Sequence, residues 1–209
     1  MPDETTPGAD TDPVTPQAPV DTARLTVLSG PTAVGKGTVV NELRRLYPDL
    51  WYSVSATTRP IRPGEIDGVH YHFLTPAQFD EAVDSGGMLE WAVVHGVHRY
   101  GTPRRAVVDQ LATGRPVLLE LDLQGHRQVR AAMPGARHVF LAPPDRAELV
   151  RRLVGRGTET EEERARRLAT ADVELASVAE FDEIIVNSDV TEAAQALASL
   201  MGLVRAPAR

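Results

Sequence analysis

Cysteine is absent from the 209 residues, which excludes disulfides, thiolate metal sites and a cysteine nucleophile, and fits a cytoplasmic setting. No apolar run is long enough to span a bilayer, and the acidic, proline-broken beginning lacks the basic-then-apolar order of a signal peptide. Positive charge is not in excess either. The formal net charge is −7, and most of it comes from Asp3, Glu4, Asp10, Asp12 and Asp21 in a leader without lysine or arginine. The body therefore offers no broad basic surface for a nucleic-acid duplex. What remains, 42% apolar and 24% charged residues, suits one soluble globular domain with a substantial core, and no internal repeat divides it.

Lysine is the scarcest charged residue. It occurs once, at Lys36, while every other cation among the 22 is arginine. That lysine lies in Gly30-Pro31-Thr32-Ala33-Val34-Gly35-Lys36-Gly37-Thr38, between the apolar run from Leu25 to Leu28 and a helix-compatible stretch ending at Leu46. This is the order of a phosphate-binding loop. Glycines permit unusual dihedrals, successive N–H groups turn inward on a phosphate, and the following helix presents its positive end. A compact ammonium on a flexible stem then reaches the β- and γ-phosphates, where a planar guanidinium would not fit the same space. Residues 30 to 38 are accordingly read as the ATP-binding loop. Gly37 stands where this pattern usually has a hydroxyl residue, and the Gly-Lys-Gly-Thr ending resembles the adenylate kinase loop, in which the metal is held largely through waters. Mg²⁺ is expected because phosphoryl transfer needs phosphate charge neutralised, with Thr38 and Asp122 as candidate contacts through water.

Residues 1 to 23 are rich in Pro, Thr, Asp and Ala without a periodic apolar face, and read as a disordered tail. Strands are expected at 24–29, 52–56, 69–74, 88–94, 98–100 (after a turn at Gly96), 116–122, 137–141 and 183–186. Helices are expected at 37–46, 76–84, 103–112, 125–133, 145–154, about 161–180 and 190–203. Thr75 is a natural N-cap, Pro76 a natural first residue, and Gly114 closes the third helix. Strands alternate with helices at both ends of the chain, while the middle is rich in strands. The expected fold is α/β, a doubly wound parallel sheet of P-loop NTPase type with an inserted β-rich lobe and a helical lid. In numbers, the core is 24–51, 103–154 and 169–204, the lobe 52–102, the lid 155–168, and 205–209 a C-terminal tail.

Arg59 and Arg62 stand three apart in a proline-stiffened loop beside Ser55, Thr57 and Thr58. Alone, such a loop suits a solvated turn as well as an anion site; on a chain with one phosphate loop it favours a phosphate acceptor held by two guanidinium forks. Arg156, in a Gly-Arg-Gly hinge, and Arg167, on the helix after it, suit a segment that closes over a polyphosphate. The plainer reading of that helix is a solvated face with i, i+4 ion pairs. Glu120 and Asp122 end a buried-looking strand on one face, and Glu90 sits beside Trp91; carboxylates so placed need a metal, an arginine or ligand donors. The six histidines show no ligand cluster, and His70-x-His72 reads as a strand pair.

These residues converge on one family. The loop 30–38, the run from Ser53 to Glu65, Asp67 to Phe73, Leu89-Glu90-Trp91-Ala92, Tyr100-Gly101-Thr102, Leu121 to Gly125 and Gly155 to Thr160 together resemble guanylate kinase, in that family's order, over about residues 24 to 203. The resemblance implies transfer of the γ-phosphoryl group of ATP to GMP, and to dGMP, as part of purine nucleotide metabolism. It implies that Ser55, Arg59, Arg62 and Tyr71 hold the GMP phosphate, that Glu90, Thr102 and Asp122 meet guanine, and that Tyr100 completes the site. By the same resemblance Lys36, Arg59, Arg156 and Arg167 are catalytic, with Arg156 also on ATP and Asn187 near adenine. The partners implied are two small molecules, ATP and GMP, with neither nucleic acid nor membrane. The sequence departs from the family's pattern at His95-Gly96-Val97-His98-Arg99-Tyr100, a turn one residue longer than usual with Arg99 where tyrosine is common. Two other readings stay open: a non-enzymatic guanylate-kinase-like module that binds phosphopeptides, disfavoured by the intact loop and hinge arginines, and a kinase for another nucleoside monophosphate.

Overall fold

A computed structural model describes residues 20–94, 97–154 and 161–203. Most of the expected N-terminal tail, the turn at Gly96, the hinge 155–160 with Arg156, and the last residues lie outside the described residues.

The chain opens with β1 (Leu25–Ser29), buried along its whole length as a strand covered on both faces must be. It continues through α1 (Lys36–Leu46), β2 (Trp51–Tyr52), β3 (Ala56–Thr57), β4 (His72–Phe73) and α2 (Pro76–Asp84). Next come β5 (Met88–Val94), β6 (His98–Pro103), α3 (Arg104–Ala112), β7 (Val117–Glu120) and α4 (Leu123–Ala132). The last part holds β8 (Arg137–Ala142), α5 (Arg146–Val154), α6 (Glu161–Ala176), β9 (Glu183–Val186) and α7 (Val190–Leu200). Parallel pairing gives a five-stranded sheet in the order β2-β7-β1-β8-β9. A second sheet, β4-β3-β6-β5, is mixed. This is the expected α/β architecture with a β-rich insertion.

The parallel sheet has a core on each face. One is built from α1 and α7 through Val39, Val40, Leu43, Ala194 and Leu197 against Leu28, Leu118 and Leu141. The other packs Val107, Leu111 and Val129 against Leu25, Val27 and Leu119. Each fully buried leucine contributes about 1.5–3 kcal/mol relative to exposure. The sheet is thereby held rigid enough for loops at the carboxyl ends of its strands to carry a site.

Several expected elements differ: the strand expected at 98–100 runs on to Pro103, and the helix expected to about 180 ends at Ala176, with a tighter 3-10 turn at Ser177–Glu180. The single strand expected at 52–56 is divided: Trp51 and Tyr52 pair with β7, whereas Ala56 and Thr57 pair with β4 and β6, so the chain passes from one sheet to the other within a few residues. Alternation in the sequence cannot distinguish one strand from two that change partner. The strand expected at 69–74 shortens to His72–Phe73, because Val69 and His70 donate back to Ile66 O at 3.2 and 3.1 Å in a turn with Gly68 at φ +73°. The last helix stops at Leu200, with Gly202 at φ +66° turning the chain away. By contrast α2 has the expected bounds, and Thr75 and Gln78 form a reciprocal capping box. Ordered structure also reaches back into the expected tail, where Asp21 caps a turn at Thr22–Arg24 and Val20 packs on the second core.

Candidate functional site

The loop after β1 is shaped by close backbone approach. Gly30 has φ +148°, and a Cβ there would lie 2.3 Å from Leu141 O, so glycine alone lets the end of β1 meet β8. Gly35, at φ +100°, is the N-cap of α1, and a Cβ on it would meet Asn187 Nδ2 at 2.8 Å. Between them Ala33 takes φ +67°, the one non-glycine residue with positive φ among the described residues. Such strain, about 1–2 kcal/mol, persists only where the surroundings impose it. Val34 imposes it here: its side chain is fully buried, while its carbonyl accepts from Asn187 Nδ2 at 2.9 Å and from Arg152 Nη1 at 2.9 Å.

Lys36 opens α1, where the first N–H groups have no carbonyl in their own helix and the helix end is positive. Its ammonium lies over the loop, donating to Gly30 O at 2.6 Å and Pro31 O at 3.4 Å. Burial lowers its pKa, and the carboxylates of Glu174, Glu120 and Asp122 oppose that shift. Gly30 to Thr38 therefore form a cradle that combines helix N–H groups with one cation, as an anion requires. Thr38 is exposed on the first turn of α1. Asn187, expected near adenine, is only 2% exposed and serves the back of the loop, with its own N–H bound to Ala142 O at 2.8 Å.

A cavity of about 250 Å³ opens between the two sheets, lined among others by Tyr52, Ser55, Tyr71, Glu90, Tyr100, Glu120 and Asp122. Glu90 is 5% exposed, and the Thr102 hydroxyl donates to its Oε1 at 2.6 Å. Burial pushes its pKa up to about 7, with Asp122 adding to the shift and Thr102 opposing it. Helix α4 approaches so closely that a Cβ on Gly125 would meet Glu90 Oε2 at 2.7 Å. Asp122, expected to share a face with Glu120, also caps α4: its Oδ1 accepts from Gly125 N at 2.8 Å. Glu120 faces Lys36 and accepts from the Tyr52 hydroxyl at 3.4 Å. It thus stands between the loop and the cavity.

Arg59 is buried, and its two terminal nitrogens donate to Glu65 at 2.8 and 3.0 Å while Nε donates to the Tyr100 hydroxyl at 3.2 Å. Its guanidinium lies 5.4 Å from the Tyr71 ring centroid, over the ring face. Arg59 holds the Glu65 carboxyl well below the usual range, at about 2, helped by the Arg62 N–H, which donates to Glu65 at 2.8 Å. The expected pair of forks is therefore unequal: Arg59 is fixed, and the Arg62 side chain is exposed. Thr57 and Thr58 are absorbed by the lobe, bonding the carbonyl and N–H of Arg99 at 2.9 and 3.0 Å. Arg99 itself turns away from the cavity to pair with Asp80 over the Phe79 ring. Arg167 is half-buried on α6, whereas Arg156 lies outside the described residues, so the two are not brought together here. His70 accepts from Ile66 N at 3.0 Å, and no metal-binding group of three or more His, Cys, Asp or Glu occurs among the described residues.

The model of the guanylate kinase family matches residues 22–203. The chain belongs to the guanylate kinase family. It is 56% identical over 194 residues to guanylate kinase of Streptomyces coelicolor, covering 93% of this chain and 96% of that one. It is 59% identical over 184 residues to the Thermobifida fusca enzyme, covering 88% and 92%. Among solved structures it resembles guanylate kinase from Anaplasma phagocytophilum, with a TM-score of 0.67 at 31% identity over 85% of this chain and 83% of that one.

Sequence reasoning missed the groups that act through others. Glu65 could have been found from its place at the end of the doubly cationic loop, since a buried arginine needs a carboxylate. Gln128, whose side chain donates to Trp91 O at 2.7 Å and accepts from Trp91 N at 3.1 Å, carries no comparable signal. Glu174 was hidden in a helix that reads as solvated.

Proposed function

We infer that this chain transfers the terminal phosphoryl group of ATP to GMP, giving ADP and GDP. The reading is carried by one observation: a buried carboxylate, Glu90, braced by Thr102, faces the same cavity as Glu120, which borders the loop lysine. Guanine presents N1–H and an exocyclic amino group side by side, which one carboxylate accepts together. Adenine lacks that pair and would leave the charge buried without donors.

The GMP phosphate is assigned to Ser55, Arg59, Arg62 and Tyr71, with Tyr100 holding Arg59 in place. Asp122 and Thr102 border the base. ATP is assigned to Gly30, Pro31, Thr32, Ala33, Val34, Gly35, Lys36, Gly37 and Thr38. Asn187 supports that loop from behind, and Arg156 and Arg167 act on the transferred phosphate. Because the attacking oxygen belongs to an already ionised phosphate, no general base is needed; its bond to the γ-phosphorus forms as the bond to the β-bridging oxygen breaks. Lys36 neutralises the charge that moves onto the leaving ADP, and Arg59 keeps the acceptor in line. The Thr38 hydroxyl and the carboxylates of Glu120 and Asp122 are hard oxygen donors of the type Mg²⁺ accepts, with the remaining positions left to phosphate and water. Bound there, Mg²⁺ would neutralise phosphate charge. No helix among the described residues is long and apolar enough to cross a membrane, and a cytoplasmic site of action is consistent with the cysteine-free composition.

A coupled ADP-release assay with GMP, dGMP, AMP, CMP and UMP tests the reading. GMP is expected to be preferred, with dGMP accepted. Faster turnover of AMP, or no turnover with any acceptor while a phosphopeptide binds, would reject it. Lys36→Ala should lower kcat by about 10²–10³-fold with little change in melting temperature.

A further inference from the structure

Two turns beyond Arg167, helix α6 places Glu174 on the same face of the helix. Glu174 is 9% exposed. Its Oε2 accepts the backbone N–H of Thr32 at 2.8 Å, 142 residues away in sequence, and the Thr32 hydroxyl approaches the same carboxylate. It is also the carboxylate that acts most strongly on the Lys36 ammonium. Burial raises the Glu174 pKa, the Thr32 donors and the Lys36 charge oppose that rise, and a second acid, Asp122, adds a little to it. A carboxylate in that position is costly unless it meets donors, and the donors it meets are those of the phosphate loop.

Thr32 marks one end of that loop. The Lys36 ammonium rests on the carbonyls of Gly30 and Pro31, the residues just before it. Since a loop lysine reaches the β- and γ-phosphates, the Thr32 N–H lies at the terminal-phosphate end. The carboxylate of Glu174 therefore presents to the loop what a terminal phosphate would present: oxygen acceptors and negative charge beside Thr32 and Lys36.

We propose that Glu174 is an internal stand-in for the terminal phosphate, holding the Thr32 N–H and the Lys36 charge until ATP displaces it. Displacement releases α6 from the loop and shifts the helix that carries Arg167, so that filling the loop and moving that arginine become one event. The proposal rests on reading the loop as the ATP site.

The test is calorimetric titration of the full chain and of Glu174→Gln with ATP, ADP and AMP. Loss of one charge-assisted competitor should tighten ATP by about tenfold, ADP by less and AMP not at all. Unchanged or weaker ATP binding, or an equal gain for AMP, would overturn the proposal. Weaker binding would mean that Glu174 shapes the loop for the nucleotide instead of competing with it. Should Glu174→Gln fail to fold, Glu174→Asp retains the charge but withdraws it by one methylene, and is expected to give a smaller gain of the same sign; no gain counts against the proposal. Failure of the unaltered protein to bind ATP would sink the loop reading itself, and this inference with it.

Discussion

The Thr102 hydroxyl donates to Glu90 Oε1 across 2.6 Å, and both side chains are buried. Because burial raises the Glu90 pKa to about 7, the free protein holds this carboxyl partly protonated near neutrality. Guanine needs the ionised form as a double acceptor. KM for GMP should therefore climb as pH falls below 7, toward a limit of about tenfold per pH unit, while KM for ATP does not follow. Glu90→Gln should abolish that dependence. The stability of the ligand-free protein gives a second readout. A carboxyl with a raised folded-state pKa favours the fold fully below its unfolded value, near 4.5, and that contribution is lost as pH rises through about 7. Relative to the parent, Glu90→Gln should melt higher at pH 8 than at pH 5. A constant difference would contradict the assignment.

How much of this was legible in the sequence follows from what each residue acts upon. The loop 30–38, Arg59, Glu90 and the strand-end acids announce themselves, since glycine spacing, a lone lysine and carboxylates at strand ends have few other uses. Helix α2 was legible to the residue because its cap, Thr75 with Gln78, is local. The passage from Tyr52 to Ala56 was not, because the change of sheet is decided by distant partners in β7 and β6. Glu174 failed for the same reason. Beside a run of glutamates and arginines it looks solvated, and only folding brings it to Thr32.

Gln128 joins α4 to the edge strand β5. Its amide pairs with both the N–H and the carbonyl of Trp91, the neighbour of Glu90 on β5, from a helix that begins at the end of β7. Gln128→Leu keeps the volume but leaves both peptide groups of Trp91 without partners, a loss of about 1–3 kcal/mol. Because the clamp fixes Glu90 and not the phosphate loop, KM for GMP should rise several-fold while KM for ATP holds. Steady-state kinetics with each substrate varied in turn would check this, and an equal rise for both would show that the clamp supports the whole protein.

The three glycines of the loop are not equivalent. Gly30→Ala would drive a Cβ into the Leu141 carbonyl, a backbone atom that cannot yield, and should cost about 2–4 kcal/mol. Gly35→Ala meets a side-chain amide instead, at a φ that L residues resist, and should cost less. At Gly37 the nearest atoms are the Glu120 oxygens at 3.9 and 4.0 Å, so Gly37→Ala should be neutral or stabilise by up to about 1 kcal/mol through helix propensity. Thermal denaturation should rank Gly30→Ala as least stable and Gly37→Ala as most stable; any other order would challenge the packing described for the loop.

His126 on α4 and His138 on β8 meet with their Nδ1 atoms 2.7 Å apart, both fully buried. One ring must donate and the other accept, so the pair is at ease when neutral. His126 also stacks on Phe181 at 3.9 Å. Arg130 and Arg127 add positive charge around the pair, with Glu180 and Asp182 opposing them, and burial is the leading cause that lowers both pKa values to about 4. The sign is opposite to that of Glu90. Groups held neutral below their ordinary value of 6.5 bind protons more readily in the unfolded chain, so their contribution is complete above about 6.5 and is lost as pH falls toward 4. Between pH 4.5 and 6.5 the two effects work against each other, and the parent's dependence should be shallower than the two histidines alone would give. Glu90→Gln removes the opposing Glu90 contribution, and stability should fall more steeply with acid over that range than in the parent. Denaturant melts of both proteins at half-unit steps of pH would measure it. Parallel curves would mean that Glu90 titrates normally in the fold, and a Glu90→Gln stability that does not fall between pH 6.5 and 4.5 would mean that the histidine pair does; imidazole resonances followed by NMR would check the latter directly.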